Sequence, residues 1–328
     1  GGSFVVPEWF PDSIYGGTSA LSKVSRLLWL LTGTLGANKF VFCGGSIFSS
    51  QGSGILDIFH AINNKNNYFS AIGVSIGPFC STKDEKKTRK VLEKFEYLSL
   101  RDEFSYDIAK SFGLPAKIVL AGDLAGMMPK FYPKSKTNDN PVKVVGFSPC
   151  FLIEKTEKSI EYCDAFIKAV GCLDKNIEIH IVVLNLNDHP VIGDLSLSHY
   201  VKKNLDDIKI SNEVLNYGDM SILSIWEKIF SLDAYISVRL HGAISAYLNG
   251  IPFALFEYHM KCQEFLKDIG QQEQLRIPSG YEADNIVEIL ESLLLRPKDE
   301  ISPKLSVDHY QARSVINFTS APWCDAFY

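Results

Sequence analysis

The chain has 328 residues, of which 46% are apolar and 22% are charged, and this balance excludes a disordered or collagen-like protein. Its 33 Lys and Arg against 38 Asp and Glu give a formal net charge of −5, so we expect no nucleic-acid binding, although a local pocket could hold a small anion. The 7 cysteines form no Cys-x-x-Cys pair, which argues against a disulfide framework and a zinc site. With no apolar run long enough to cross a bilayer and no secretory signal, we expect a cytoplasmic protein.

Strands alternate with helices along the first part of the chain. Helical spacing of apolar residues predicts a helix over residues 19–32, after a loop rich in proline and glycine. Short apolar runs that end in glycine or charged turns predict strands at residues 39–43, 70–76, 97–100 and 117–120. The segments between them predict helices at residues 83–96 and 104–112.

A proline-rich polar stretch, residues 127–141, is predicted to be a linker, and a second alternating series follows it. This series predicts strands at residues 142–148, 178–184, 234–238 and 252–256. It predicts helices at residues 157–170, 194–204, 220–232, 242–248, 260–269 and 283–295.

The alternation predicts an α/β protein of two Rossmann-like domains whose parallel sheets face a cleft. We expect the domains at residues 1–133 and 134–308, and a tail, residues 309–328, that packs back on the first domain. Ligands of open α/β sheets bind at the carboxyl ends of the strands, so the residues that follow the strands are the candidates for function.

The strongest candidate follows the strand predicted at residues 234–238, where Arg239-Leu-His241-Gly242 leads into a helix. Alternation along an extended chain places Arg239 and His241 on one side, beside a helix N-terminus that favours a phosphate or carboxylate. Gly242 is expected to leave room for a ligand at the backbone. The alternative is structural, with Arg239 paired to Asp233 and the histidine capping a turn. Because Lys261 follows the next strand, we favour the functional interpretation.

His241 is subject to two opposing influences. The helix N-terminus disfavours its imidazolium form, whereas a multiply charged anion bound beside it favours that form. We therefore hypothesise that His241 becomes an acid when its substrate binds.

A second strand-to-helix junction contains Arg101-Asp102-Glu103-Phe-Ser105. Asp102 is predicted to cap the helix, because a Ser, Thr, Asn or Asp side chain at this position accepts a backbone N–H two or three residues ahead. Arg101 is predicted to bind an anion, and a salt bridge to Glu103 or Asp123 is the alternative.

The remaining candidates are weaker. The turn Gly44-Gly45-Ser46 lacks the Gly-x-Gly-x-x-Gly spacing of a dinucleotide site, and like the turn at Gly77 it indicates a bare strand end across which a substrate could lie. The polar segment 185–190 stands where a strand is expected to end near the cleft, so His189 could contact an acceptor there, with a plain polar turn as the favoured alternative. Asp188 of the same turn is a candidate for acceptor binding. His180 is expected in the core, and no histidine has a partner at metal-binding spacing, so no metal site is expected.

Three segments resemble the polysaccharide pyruvyl transferase family. They are CGGSIFSS at residues 43–50, the stretch from 71 to 123 with AIGVSIGPF, YLSLRDEFSYDIAKSFGL and AGD, and SVRLHGAISAYLNGIPFALFEYHMKCQEFLKDIG at 237–270. The Arg-Leu-His-Gly block followed by Pro, Tyr and Lys is the most specific. The chain departs from the family in having two glycines and then Ser where members often have three glycines, and the family's N-terminal glycine and Asn turn is not recognisable.

The resemblance implies a fold similar to the GT-B glycosyltransferases and a transfer of the enolpyruvyl unit of phosphoenolpyruvate to two hydroxyls of one sugar, which leaves a cyclic pyruvate ketal. The acceptor it implies is a sugar of a bacterial capsule, exopolysaccharide or cell-wall glycan precursor on a lipid diphosphate carrier. We therefore expect a peripheral contact with the inner face of the plasma membrane. Phosphoenolpyruvate is a co-substrate, and no cofactor or metal is expected.

These roles can be assigned to residues. With the C-terminal domain on the donor side, the donor-binding residues are Arg101, Arg239, His241, Gly242 and Lys261. Arg239 and His241 are the catalytic candidates, and His241 would protonate the methylene carbon. With the N-terminal domain on the acceptor side, the acceptor-binding residues are Gly44, Gly45, Ser46, Gly77 and Asp188.

Two other functions stay open. A GT-B glycosyltransferase that uses a nucleotide sugar would share the architecture, and Glu257 and Tyr258 could then hold the nucleotide. A carbohydrate- or anion-binding module without catalysis is the other, although binding alone does not require a histidine beside paired cations.

Overall fold

The computed structural model describes residues 24–25, 28, 37–49, 67–132, 142–152, 155–173, 176–185, 193–281 and 283–323. The helix predicted at residues 19–32 falls almost entirely outside these residues, and so do Asp188 and His189. The chain divides into two compact units, residues 1–124 with 313–328 (unit 1) and residues 125–312 (unit 2). Among the described residues, no helix combines the length and the hydropathy that crossing a bilayer requires.

Unit 1 contains a parallel sheet of four strands in the order β1-β2-β3-β4. Its elements are β1 (Lys39–Phe48), β2 (Tyr68–Ile76), α1 (Thr82–Leu92), β3 (Phe95–Leu100), α2 (Glu103–Ser111) and β4 (Lys117–Leu120). Buried phenyl rings from three of the strands form the centre of the core, at Phe48, Phe69 and Phe95. Because all the strands are parallel, their carboxyl ends lie at one edge of the sheet.

Unit 2 contains a parallel sheet of six strands in the order β10-β9-β8-β5-β6-β7. Its first elements are α3 (Met128–Phe131), β5 (Lys143–Ser148), α4 (Thr156–Cys172), β6 (Ile177–Val183), α5 (Asp194–Asp207), β7 (Ser211–Asn216) and α6 (Ile222–Phe230). The later ones are β8 (Ala234–Ser237), α7 (Leu240–Asn249), β9 (Phe253–Phe256), α8 (Met260–Asp268), β10 (Arg276–Ile277), α9 (Ala283–Leu295) and α10 (Lys298–Ile301). The last helix, α11 (Val307–Thr319), begins in unit 2 and ends in unit 1.

The central strands β8 and β9 are fully buried because helices cover both faces of the sheet. On one face, the rings of Phe147 and Phe166 stack with their centroids 4.0 Å apart. On the other face, Tyr247 packs edge-on against Phe253, Phe265 and Tyr310. The predicted α/β architecture with parallel sheets is confirmed, and β7 and β10 are two strands that the sequence analysis did not identify.

Candidate active site

The strand order of unit 2 defines a crevice at the carboxyl edge of its sheet. From β5 the chain moves outward through β6 and β7, then returns to the other side of β5 with β8, β9 and β10. Ligands of open α/β sheets bind where the order reverses in this way, outside the carboxyl ends of the two central strands. In unit 2 those strands are β5 and β8, and the residues that follow them include Cys150, Phe151 and Arg239.

Arg239 is held by a buried carboxylate. Its Nε donates to Asp194 Oδ2 at 2.6 Å and its Nη2 donates to Asp194 Oδ1 at 2.8 Å. The Phe151 N–H donates to the same Oδ1 at 2.7 Å. Asp194 is the first residue of α5, where the helix dipole and the backbone N–H groups favour a negative charge. The pair therefore joins the residues after β5 and β8 to the helix that follows β6.

The predicted alternative partner of Arg239, Asp233, has a different role. Asp233 Oδ1 accepts a hydrogen bond from Lys143 Nζ at 3.0 Å, and its Oδ2 accepts one from the Val144 N–H at 2.9 Å. Asp233 precedes β8, so it lies at the amino edge of the sheet, whereas Arg239 follows β8 at the carboxyl edge. The pairing of Arg239 with Asp233 was therefore wrong.

Helix α7 begins at Leu240, two residues before the predicted start at Gly242. Arg239 is its N-cap residue, Leu240 is buried, and His241 lies in the first turn with an exposed side chain. The prediction that Arg239 and His241 lie on one side of an extended segment was therefore wrong. The helix still carries His241 on its N-terminal turn, next to the arginine that caps it.

Gly242 is buried, and the space left by its missing side chain is filled by the protein. A Cβ atom at this position would lie 2.4 Å from Ser237 Oγ and 3.1 Å from Tyr235 Cε1. Glycine thus allows α7 to pack closely on β8, which corrects the expectation that it leaves room for a ligand. The Gly242 N–H donates to the Arg239 carbonyl at 3.1 Å within the first turn.

Lys261 lies at the carboxyl end of β9, beside the crevice. His259 caps α8 by accepting the Lys261 N–H at its Nδ1, at 3.2 Å. The Lys261 ammonium lies 5.8 Å from the centroid of the Tyr258 ring, within cation–π range. The Tyr258 hydroxyl is 3.7 Å from Cys150 Sγ, so the ends of β9 and β5 come together around Arg239.

Cys150 is not set up as a nucleophile. Burial raises the pKa of its thiol to about 11, and the nearby charges of Arg239 and Lys261 oppose this rise only in part. The thiol is therefore protonated at neutral pH, and it donates a weak hydrogen bond to the Tyr258 hydroxyl at 3.7 Å.

In unit 1, Arg101 connects the ends of all four strands. Its Nε donates to Ser75 Oγ at 2.6 Å, its Nη1 to Asp123 Oδ2 at 2.9 Å and its Nη2 to Ser46 Oγ at 3.0 Å. Ser46 lies on β1, Ser75 on β2, Arg101 follows β3 and Asp123 follows β4. The guanidinium group is 8% exposed, and the salt bridge to Asp123 is the alternative that the sequence left open. A role of Arg101 in donor binding remains a prediction.

Asp102 caps α2, as predicted, because its Oδ1 accepts the Ser105 N–H at 2.8 Å. Its other carboxylate oxygen accepts a hydrogen bond from Ser75 Oγ at 2.7 Å. Ser75 therefore lies between Arg101 and Asp102, and the cap of the helix is part of the same polar network as the strand ends.

The glycines of β1 have backbone conformations that explain their identity. Gly44 and Gly45 have φ angles of 67° and 81°, in the left-handed region that residues with a Cβ rarely adopt. They bend β1 just before Ser46, where its pairing with β2 becomes irregular. Gly77 is buried, and its N–H donates to the Phe48 carbonyl at 2.8 Å. Contact of these residues with an acceptor remains a prediction.

His180 lies in the core of unit 2, as predicted. Its Nε2 is 3.0 Å from Glu178 Oε1 and 3.8 Å from Glu213 Oε2, so these three could in principle ligate a metal ion. Lys228 Nζ already lies 3.1 Å from Glu213 Oε2 and supplies a positive charge there. The group lies in the middle of β6 and β7, away from the carboxyl edge of the sheet.

Asp194 is the residue that the sequence analysis missed. It stands at the predicted start of a helix, where an acidic residue is common and needs no further explanation. Its partner Arg239 is 45 residues away along the chain, and only the strand order brings the two together.

The comparisons with known proteins identify a family from the sequence and a fold from the structure. The sequence profile of the family described as polysaccharide pyruvyl transferase matches residues 8–260. No curated protein sequence matches the chain. The UDP complex of MnaA from S. aureus is 10% identical, with a TM-score of 0.60 over 92% of this chain and 82% of that one. The UDP-GlcNAc 2-epimerase of Methanocaldococcus jannaschii, in complex with UDP-GlcNAc and UDP, is 12% identical, with a TM-score of 0.55 over 93% and 82%.

An α,α-trehalose 6-phosphate synthase from Burkholderia multivorans is also similar, at 11% identity, with a TM-score of 0.54 over 96% of this chain and 78% of that one. Identities this low establish a common fold rather than a common activity. The fold is of the GT-B type, in agreement with the prediction from the sequence.

Proposed function

This chain belongs to the polysaccharide pyruvyl transferase family, and we propose on that premise that it transfers the enolpyruvyl group of phosphoenolpyruvate to two hydroxyls of one sugar. The observation that carries the proposal is the cationic cluster at the carboxyl edge of unit 2. Arg239 and Lys261 follow neighbouring strands, and His241 lies on the helix turn that Arg239 caps. A phosphate and a carboxylate on a three-carbon donor match two cations and a proton donor.

The proposed reaction uses His241 as the acid. Its exposed position on the first turn of α7 lets a ligand approach the imidazole, which protonates the methylene carbon of the donor. Carbon 2 then has oxocarbenium character, and a sugar hydroxyl adds to it and gives up its proton. Phosphate leaves with the electron pair of its C–O bond, and a second hydroxyl adds to carbon 2 and loses its proton. The products are inorganic phosphate and a cyclic pyruvate ketal.

Arg239 and Lys261 would stabilise the donor's negative charge and the charge on the departing phosphate. Such preorganised charge acts without rearrangement during the reaction. In this scheme, basic side chains rather than a metal ion neutralise the charge of the phosphate.

The acceptor we propose is a sugar of a bacterial capsule, exopolysaccharide or cell-wall glycan precursor, carried on a lipid diphosphate. The bend of β1 at Gly44, Gly45 and Ser46, together with Gly77, is the proposed acceptor side. Such an acceptor would bring the enzyme to the inner face of the plasma membrane. Sedimentation with vesicles that contain the lipid-linked oligosaccharide tests this, because protein left in the supernatant would contradict a peripheral contact.

The test of the activity is a direct one. The protein is incubated with phosphoenolpyruvate and a panel of lipid-linked oligosaccharides, and mass spectrometry identifies any product that has gained a pyruvyl group while phosphate release is followed in parallel. A pyruvylated product with stoichiometric phosphate supports the proposal. Binding of phosphoenolpyruvate without phosphate release on any acceptor would favour the non-catalytic binding module.

A nucleotide-sugar glycosyltransferase is the second candidate, since solved structures of similar fold contain UDP or UDP-GlcNAc. One observation disfavours it. The Glu257 carboxylate, the acidic group that could hold a nucleotide, is bonded to Arg276 Nε and is 9% exposed. Calorimetric titration separates the candidates, because binding of UDP-GlcNAc but not of phosphoenolpyruvate would overturn our choice.

A further inference from the structure

The Asp194 carboxylate is completely buried, and both of its oxygens accept hydrogen bonds. The Asp194 side chain is 0% exposed, whereas the side chain of its partner Arg239 is 19% exposed. Both carboxylate oxygens are engaged by Arg239, and one of them also accepts the Phe151 N–H. A ligand can therefore reach the arginine but not the aspartate.

The geometry of the pair fixes the orientation of the guanidinium group. Two parallel hydrogen bonds to one carboxylate hold the plane of an arginine, which a single bond or a lysine could not do. The three hydrogen-bonded groups lie on separate elements. The Phe151 N–H follows β5, the Asp194 carboxylate is on the first residue of α5, and the Arg239 guanidinium is on the N-cap residue of α7. These elements surround the point where the strand order of unit 2 reverses.

We infer that Asp194 is a positioning residue of the transferase, which holds Arg239 in the orientation that binds the anionic donor and does not touch the substrate itself. This inference rests on the proposed function. A bound anion interacts with the positive charge of Arg239 in the direction in which its guanidinium group points, and the buried Asp194 carboxylate fixes that direction. The loss of the carboxylate should then weaken donor binding through Arg239 and through no other residue.

The test is a double-mutant cycle of Asp194→Asn and Arg239→Gln, with affinity for phosphoenolpyruvate measured by calorimetry. In the wild-type background, Asp194→Asn should weaken binding about tenfold or more, the size expected for a misplaced charge-assisted contact. In the Arg239→Gln background, the same substitution should change the affinity less than about twofold, because the group it positions is already absent. Asp194→Glu, which retains the charge, should recover part of the affinity that Asp194→Asn loses.

Asp233→Asn is the matched control. Asp233 also accepts hydrogen bonds from a basic side chain and from a backbone N–H next to β8, but at the amino edge of the sheet. The Asp233→Asn protein should bind phosphoenolpyruvate with the affinity of the wild type. Should Asp194→Asn fail to fold, the double variant removes both charges, and its affinity should equal that of Arg239→Gln alone.

Four outcomes would decide against the inference. Wild-type affinity in a folded Asp194→Asn protein, or an equal loss in both backgrounds, overturns the positioning role and leaves the proposed function standing. A double variant that binds much more weakly than Arg239→Gln does the same. A wild-type protein that neither binds phosphoenolpyruvate nor releases phosphate from it overturns the proposed function, and this inference with it.

Discussion

Arg101 donates through Nη1 to Asp123 Oδ2 at 2.9 Å, and so ties the end of β3 to the end of β4. Unit 2 contains a pair of the same chemistry, in which Asp194 holds Arg239 at the carboxyl edge of its sheet. In each unit, a buried carboxylate fixes an arginine at the edge where α/β proteins bind ligands. The two arginines differ in access, because the Arg101 side chain is 8% exposed and the Arg239 side chain is 19% exposed.

Replacing Arg101 by Ala should destabilise unit 1 by about 3–5 kcal/mol, because the substitution leaves Asp123 buried without its cation. It also removes the donors to Ser46 and Ser75. Urea unfolding monitored by circular dichroism measures the loss. Arg89→Ala, which breaks an exposed pair with Glu93 on α1, is the control and should change stability by less than about 1 kcal/mol. Equal unfolding midpoints for the two variants would contradict a central role for Arg101.

Replacing His241 by Ala should lower kcat by roughly 10²–10⁴-fold, the usual contribution of a positioned acid. The fold should be unaffected because the side chain is exposed on the first turn of α7. Phosphate release with a productive acceptor measures kcat, and thermal unfolding checks the fold. His309→Ala is the control, because His309 is also exposed and also lies in the first turn of a helix. Near-normal phosphate release by the His241 variant would exclude its role as the acid.

The elements that the sequence predicted well are those whose apolar pattern has clear borders. The strand at Lys117–Leu120 and the helix at Ala283–Leu295 have the predicted bounds, because each is bordered by polar or turn residues. The strand at Ser211–Asn216 was missed since it is a polar edge strand, and its exposed side chains give no apolar run. The strand at Arg276–Ile277 has two residues and is too short for any pattern.

The candidate site was predictable only in part. Arg239, His241 and Lys261 follow strands, and that position can be identified from the sequence. The start of α7 could not be located, because the pattern Arg-Leu-His satisfies both an extended end and a first helical turn. The partnership of Asp194 with Arg239 depends on strand order, which no local pattern contains.

Stability should fall as the pH rises above about 9, because three buried thiols keep their protons only in the folded state. Burial raises the pKa of Cys150 to about 11 and that of Cys262 to about 12, from 9.0, and it raises the pKa of Cys163 as well. Between these values the unfolded chain binds fewer protons than the folded one, so each thiol lowers the free energy of unfolding by up to about 1.4 kcal/mol per pH unit. Below pH 8 both states are protonated and the thiols contribute no slope.

Urea midpoints at pH 8, 9 and 10 measure this dependence. Cys150→Ala removes one of the three groups and should make the decline shallower than in the wild type. The exposed Cys80→Ala is the matched control and should leave the slope unchanged. A Cys150→Ala protein with the wild-type slope would show that Cys150 does not ionise on unfolding in the expected way.

Replacing Gly242 by Ala should destabilise unit 2 by about 1–3 kcal/mol, the usual range for overpacking. The added Cβ would lie 2.4 Å from Ser237 Oγ, so α7 would have to move away from β8. Because α7 carries Arg239 as its cap and His241 in its first turn, the same shift should weaken phosphoenolpyruvate binding and lower kcat. Chemical unfolding and calorimetry measure the two effects on one preparation.

The hydroxyl of Ser237 makes this prediction specific to one contact. Ser237→Ala removes the atom that the new Cβ would meet first, so the double variant with Gly242→Ala should recover part of both stability and donor affinity. Recovery should be incomplete, because Tyr235 Cε1 would still lie 3.1 Å from the Cβ and the Ser237 hydroxyl no longer bonds to the Arg239 carbonyl. If Gly242→Ala lowered donor affinity without loss of stability and Ser237→Ala gave no recovery, the glycine would instead serve as backbone space for the ligand.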